Sequence, residues 1–125
     1  MDFHRTHFKP SPGAFDQEGL DYLESRYLSF TEARQMRISA IGGYVHFPYI
    51  VNGEILRWKS RSMHNKKVQF WSPLPEGAKW EAPFFNESST APGQYLIITE
   101  GEFDCLALSE IGAVNVVSLP NGASG

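Results

Sequence analysis

The chain has 125 residues, 42% of them hydrophobic and 14% aromatic, with a formal net charge of −3. That length fits one domain or two small subdomains, and the composition can build a core. No apolar run is long enough to span a bilayer, no secretory leader pattern opens the chain, and the single cysteine, Cys105, excludes both an internal disulfide and a cysteine-rich zinc site. These features point to a cytoplasmic protein in a reducing compartment.

Residues 1–14 carry prolines, a glycine and the pair His4 and His7 without an apolar period, and read as a flexible arm. The two histidines lack the further ligands that four-coordinate zinc requires. Phe15 to Arg37 predicts two helices. Leu20, Leu23 and Tyr27 share a stripe of the first; Ser29-Phe-Thr31 makes a break, and Thr31-Glu32 opens the second. Ile41-Gly-Gly43 reads as a hinge. Tyr44 to Val51 is rich in β-branched and aromatic residues, Asn52-Gly53 signals a tight hairpin, Glu54 to Ser60 is the return strand, and Lys67 to Trp71 is a third.

The charge is unevenly placed. Ile55 to Pro75 holds Arg57, Lys59, Arg61, Lys66 and Lys67 and no acid. Period two sets Arg57, Lys59 and Arg61 on one face of the return strand, with Leu56 and Trp58 on the other. Such a row suits an anionic ligand, although by itself it more often marks the solvated face of a half-buried sheet. Trp58, Phe70 and Trp71 could stack bases or serve as core. Pro73 to Gly93 is loop-like, with Phe84-Phe85 as an apolar anchor.

Tyr95 to Thr99 predicts a strand buried on both faces. It ends at Glu100, and Gly101, Glu102 and Asp104 follow. Phe103, Leu106, Ala107 and Ile111 share a helical stripe that Gly112 terminates. Val114 to Leu119 is a second buried strand. The order strand, helix, strand implies a parallel pair with a right-handed crossover, so the loops after the two strands, Glu100-Gly-Glu102 and Pro120 to Gly125, must lie side by side. Ligands bind at that end of such sheets. The helix dipole accounts for Glu102 and Asp104 in a first turn; Glu100 precedes the helix and is not explained that way.

The segments Ile98-Thr-Glu-Gly-Glu-Phe-Asp104 and Val116-Val-Ser-Leu-Pro-Asn-Gly-Ala-Ser124 resemble the opening of a Toprim domain, the metal-dependent module of bacterial-type primases, topoisomerases and some nucleases. The resemblance is closest to primases of the phage primase-helicase and Twinkle type. Leu20 to Ile38 looks like their helical lead-in, and Tyr44 to Trp71 like their basic subdomain.

The resemblance implies an α+β architecture: a small helical lead-in and basic antiparallel β subdomain over residues 15–92, then the opening βαβ of an α/β Toprim domain over 93–125. It implies Glu100 as general base or Mg²⁺ ligand, with Glu102 and Asp104 as further metal candidates, and Arg57, Lys59, Arg61, Lys66 and Lys67 as nucleotide or template contacts. Single-stranded DNA, NTPs and a replicative helicase domain are the implied partners, in the bacterial host cell of a phage or mobile element. The family's Asp-x-Asp strand, which supplies most Mg²⁺ ligands, has no counterpart in these residues. The chain is therefore expected to be completed past Gly125 or by another chain, with Val114 to Leu119 exposed as an apolar edge until then. A shortened Toprim module that binds without catalysis, and a Toprim nuclease, are the competing readings.

Overall fold

The computed structural model describes residues 10–121. Helix α1 (Gln17–Ser25) begins at Asp16, whose Oδ1 accepts the Gly19 N–H at 2.8 Å. The other carboxylate oxygen accepts the Gly42 N–H at 2.9 Å, so one side chain both caps the helix and ties it to a distant turn. Gly19 is required by close packing: a Cβ there would lie 1.8 Å from the carbonyl oxygen of Ala40. Leu23 is buried, but Tyr27, expected on the same stripe, is exposed. The helix ends before it, Tyr27 takes a left-handed conformation (φ 61°), and Leu28 occupies the core instead. Helix α2 (Phe30–Gln35) starts from Ser29, whose Oγ accepts the Glu32 N–H at 3.3 Å.

Four antiparallel strands follow in spatial order β1 (Ser39–Ile41), β2 (Tyr44–Val51), β3 (Glu54–Ser62) and β4 (Gln69–Trp71). The segment read as a hinge is a tight turn. Gly42 and Gly43 both have positive φ, and Ile41 pairs with Tyr44, so β1 is a strand that the sequence reading left out. Asn52 (φ 52°) and Gly53 (φ 81°) make the primed hairpin turn as expected.

The register of that hairpin corrects the expected roles of the two faces. Val51 pairs with Glu54 and Ile50 with Ile55, but a shift between Tyr49 and Ile50 then sets Tyr49 opposite Arg57, Phe47 opposite Lys59 and Val45 opposite Arg61. Directly opposed residues share a face. Val45, Phe47 and Tyr49 are fully buried, so the three cations share the core-facing side of the sheet: Lys59 is buried there, and Arg57 and Arg61 are half-buried.

The second sheet is the expected parallel pair, β5 (Ile97–Thr99) and β6 (Val116–Ser118), joined through α3 (Glu102–Glu110). Burial agrees with the apolar runs in the second strand and departs from them in the first. Strand β5 leaves Ile97 and Ile98 40% and 52% exposed, whereas β6 is wholly buried. The outer edge of β6 is closed by Phe85, whose N–H and C=O both bond Ser118, at 2.8 and 3.1 Å. Asn86 adds a bond from Nδ2 to the Val116 carbonyl at 3.1 Å. In α3 the buried side is Glu102, Phe103, Cys105 and Leu106; Ala107 and Ile111, expected on the stripe, are exposed. Gly112 (φ 99°) ends this helix as expected.

One core runs through both sheets. Phe47 meets Phe85 and Phe103 edge-on, with ring centroids 5.5 and 5.2 Å apart, and Tyr49 meets Phe85 at 5.6 Å. Leu23, Ala33, Ile38, Leu106 and Val116 belong to the same cluster.

Candidate functional site at the strand ends

The loops after β5 and β6 do lie together. The Leu119 N–H bonds the Thr99 carbonyl at 3.0 Å, and the Thr99 hydroxyl lies 2.9 Å from the Val117 carbonyl and 3.0 Å from that of Gly101. Glu100 and Asp104 are exposed on this rim. Glu102 points the other way, into the protein, and is 1% exposed. Its carboxylate accepts from Lys59 Nζ at 3.0 Å (Oε2) and 3.4 Å (Oε1), and from the Tyr49 hydroxyl at 2.6 Å. Lys59, itself 6% exposed, also donates to the Pro120 carbonyl at 2.6 Å. One ammonium thus fastens the start of α3 and the loop after β6 to the four-stranded sheet. An ion pair this deep is sustained by the extra hydrogen bonds that satisfy both partners.

The buried charge acts on its neighbours. Burial, then the Glu102 charge, pushes the Tyr49 hydroxyl far above its ordinary range, which keeps it a donor. The same two causes, in the same order, push the Cys105 thiol up to about 12. Cys105 Sγ lies 3.3 Å from the Val116 carbonyl and is a packing group.

The remaining cations differ in what they do. Arg57 donates through Nε and Nη2 to the Ser72 carbonyl at 3.1 and 2.9 Å, and its guanidinium lies 4.8 Å from the ring centroids of both Trp71 and Trp80. Burial lowers its pKa. Arg61 stacks on Phe103 at 5.1 Å. Lys66 and Lys67 are exposed in the turn between β3 and β4. So Glu100, Asp104, Arg61, Lys66 and Lys67 remain accessible to a ligand, whereas Lys59, Glu102 and, in large part, Arg57 hold the structure together. Trp58 is buried and Trp71 packs against Tyr49, 4.9 Å between ring centroids, so these two expected base-stacking candidates serve as core.

Tyr49 and the Pro120 carbonyl were missed by sequence reasoning. Tyr49 could be connected to Lys59 only through the register shift. The pair His4 and His7, and residues 122–125 of the second loop, lie outside the described residues. An open groove of about 770 Å³, between the β2–β3 hairpin tip and residues 75–88, contains none of the predicted site residues. Among the described residues, no group of three or more His, Cys, Asp or Glu side chains is arranged to hold a metal ion. With Glu102 committed to Lys59 and Tyr49, Glu100 and Asp104 are the carboxylates left at the rim, too few for the six oxygens that Mg²⁺ prefers.

No helix among the described residues is long and apolar enough to cross a membrane. No family model matches the sequence, and no curated protein matches it. Among solved structures, the chain is similar to the primase fragment of the bacteriophage T7 primase-helicase protein, with a TM-score of 0.64 and 26% sequence identity. The match covers 94% of this chain and 53% of the phage fragment, so the chain spans about half of that fragment's length. The helical lead-in, the antiparallel sheet and the parallel strand pair form the mixed α+β architecture that the motif at Glu100 implied, and over 94% of its length the chain is structurally a counterpart of a phage primase fragment.

Proposed function

We propose that the chain is part of a primase that synthesises RNA primers on single-stranded DNA for replication. One observation carries the reading. Glu100 is exposed at the carboxyl end of a parallel strand, where α/β sheets bind ligands, in a chain with the fold of a phage primase fragment. Arg61 of the four-stranded sheet approaches the same helix start, so a polyanionic template and nucleotide would meet positive charge beside the acid.

In this reading Glu100 accepts the proton of the attacking 3′-hydroxyl. The 3′-oxygen forms a bond to the α-phosphorus of the incoming nucleotide as the bond to the β-phosphate bridging oxygen breaks, and pyrophosphate leaves. Lys59 and Glu102 take no part in proton transfer; they hold the loops on either side of Glu100 in place. The carboxylates at the rim do not complete an Mg²⁺ site, so no step is assigned to a metal held by these residues alone. DNA and the replication machinery are the partners this reading implies, with NTPs as substrates.

The test uses the complete protein that contains this chain. Glu100→Gln is expected to reduce dinucleotide synthesis on a single-stranded template at least ~100-fold, the scale of a lost general base, with an unchanged melting midpoint. Near-normal synthesis would overturn the catalytic role and favour the second reading, a shortened Toprim module that binds nucleic acid without catalysis.

A further inference from the structure

The groove beside the β2–β3 hairpin tip has an apolar floor and an acidic rim. Ile50, Ile55, Leu56 and Phe84 line it and are half-buried. Glu54, Glu81 and Glu87 line it as well, all exposed, against one cation, Lys79. Among the described residues the ion pairs are Lys59–Glu102 and His64–Glu18, and neither uses any of these four charges. The rim is therefore a field of negative charge with nothing in the fold to neutralise it.

The far wall, residues 75–88, is fixed at two aromatic anchors. Trp80 packs on Tyr49 and Trp71, with ring centroids 5.8 and 5.1 Å apart, and Phe85 is bonded to β6. Between the anchors Ala82 takes a left-handed conformation (φ 46°), uncommon for a residue with a side chain. A groove held open by anchored walls pays little ordering cost on binding. The near wall is a strand edge. Strand β4 pairs with β3 over Lys59 to Arg61, and the Ser72 N–H bonds the Trp58 carbonyl at 2.9 Å. Nearer the tip, Glu54 and Ile55 pair with β2 on one side and with no described strand on the other. Such an edge accepts an extended segment.

Charge decides what that segment is. The acids repel a nucleic-acid backbone. Two copies of the chain meeting edge to edge would set Glu54, Glu81 and Glu87 of one against the same acids of the other. An extended peptide that alternates cationic and apolar side chains satisfies both features, because its alternate residues face opposite ways, one set toward the floor and the other toward the rim. We infer that this groove docks an extended, basic segment of a partner protein. The inference is independent of the primase reading.

The test uses the complete protein that contains this chain and a fluorescein-labelled hexapeptide alternating lysine with valine, read by anisotropy. Saturable binding is expected at 50 mM salt, weaker at 200 mM. The same peptide with glutamate for lysine should not bind, and one with serine for valine should bind several-fold more weakly. Glu54→Lys/Glu87→Lys should weaken binding of the basic peptide about tenfold, and Glu81→Lys alone about threefold. Lys79→Glu should tighten it about threefold, a gain that damage to the fold does not produce. Glu110→Lys, at an exposed acid on the last turn of α3, makes the same change in net charge as Glu81→Lys and should leave binding unchanged. All the altered residues are exposed, and equal melting midpoints check that the variants fold. No binding of the basic peptide below about 1 mM, equal binding of the serine peptide, or no response to the rim variants would overturn the inference. Competition by a ten-nucleotide oligothymidylate would assign the groove to nucleic acid, and dimerisation abolished by Glu54→Lys/Glu87→Lys would assign it to a second copy; either result overturns it too.

Discussion

Removing one end of the Lys59–Glu102 pair should be far more damaging than removing both. Lys59→Met keeps the length of the side chain and deletes the charge. It leaves the Glu102 carboxylate, 1% exposed, with only the Tyr49 hydroxyl 2.6 Å away, and leaves the Pro120 carbonyl without its donor. An uncompensated buried charge of this kind costs about 3–5 kcal/mol. Glu102→Leu strands the ammonium instead, leaving it the Pro120 carbonyl as a hydrogen-bond acceptor and the Trp71 ring 5.7 Å away. The double variant removes both charges from the interior and should recover most of the loss, so that the coupling energy, the two single losses less that of the double, exceeds either single loss. The assay is urea unfolding followed by tryptophan fluorescence and far-ultraviolet circular dichroism, with all four proteins compared at one pH. Single losses below about 1 kcal/mol that simply add in the double variant would refute the reasoning, because they would mean that the pair behaves as an exposed one.

Three further outcomes follow from the same structure. His46 is buried, and its pKa falls from 6.5 to about 4 because burial disfavours the cation, partly offset by a hydrogen bond involving the Ile41 backbone. The unfolded chain therefore binds the extra proton between those values, so the stabilisation is complete above pH 6.5 and lost as pH falls toward 4; about 2 kcal/mol should disappear between pH 7.5 and 5, and His46→Asn should lack that component of the pH dependence. Gly19→Ala should destabilise by about 2–3 kcal/mol, since the added methyl meets the Ala40 carbonyl; a neutral or stabilising result, normal for an exposed helical glycine, would show that α1 can move off β1. Cys105 should resist a thiol reagent at pH 8 in the folded protein and react at once in urea, because its thiol is buried and raised to about 12; rapid labelling of the native protein would contradict the packing of α3.

Much of this architecture was legible because its signals are local. Asn52-Gly53 fixes a hairpin, Gly112 stops a helix, and an apolar run ending in Glu100-Gly101-Glu102 marks the end of a parallel strand. What could not be read depends on partners distant in sequence. The single register shift beside Tyr49 decides which face of β3 meets the core. Continuing the Val51–Glu54 pairing without it would have set Tyr49 opposite Leu56 and turned Arg57, Lys59 and Arg61 away from the aromatic side chains. Composition could not reveal that a lysine in a basic row neutralises an acid 43 positions later. It could not show either that an acid in a first turn, where the dipole already accounts for it, is drawn inward. The exposed rim acids were the easier half of the site: Glu100 had no structural partner in the sequence reading, and in the fold it stands exposed.

The clip that Phe85 places on β6 also has a kinetic side. Its two backbone bonds join residues 33 positions apart, and its ring closes against Phe47 and Tyr49 from the four-stranded sheet. Strands β5 and β6 alone are too few to persist in water. They gain their support only once the loop carrying Phe85 has already docked on a formed hairpin. The topology therefore leads us to expect that the hairpin forms first and the parallel pair last, with closure of the long loop as the slow step.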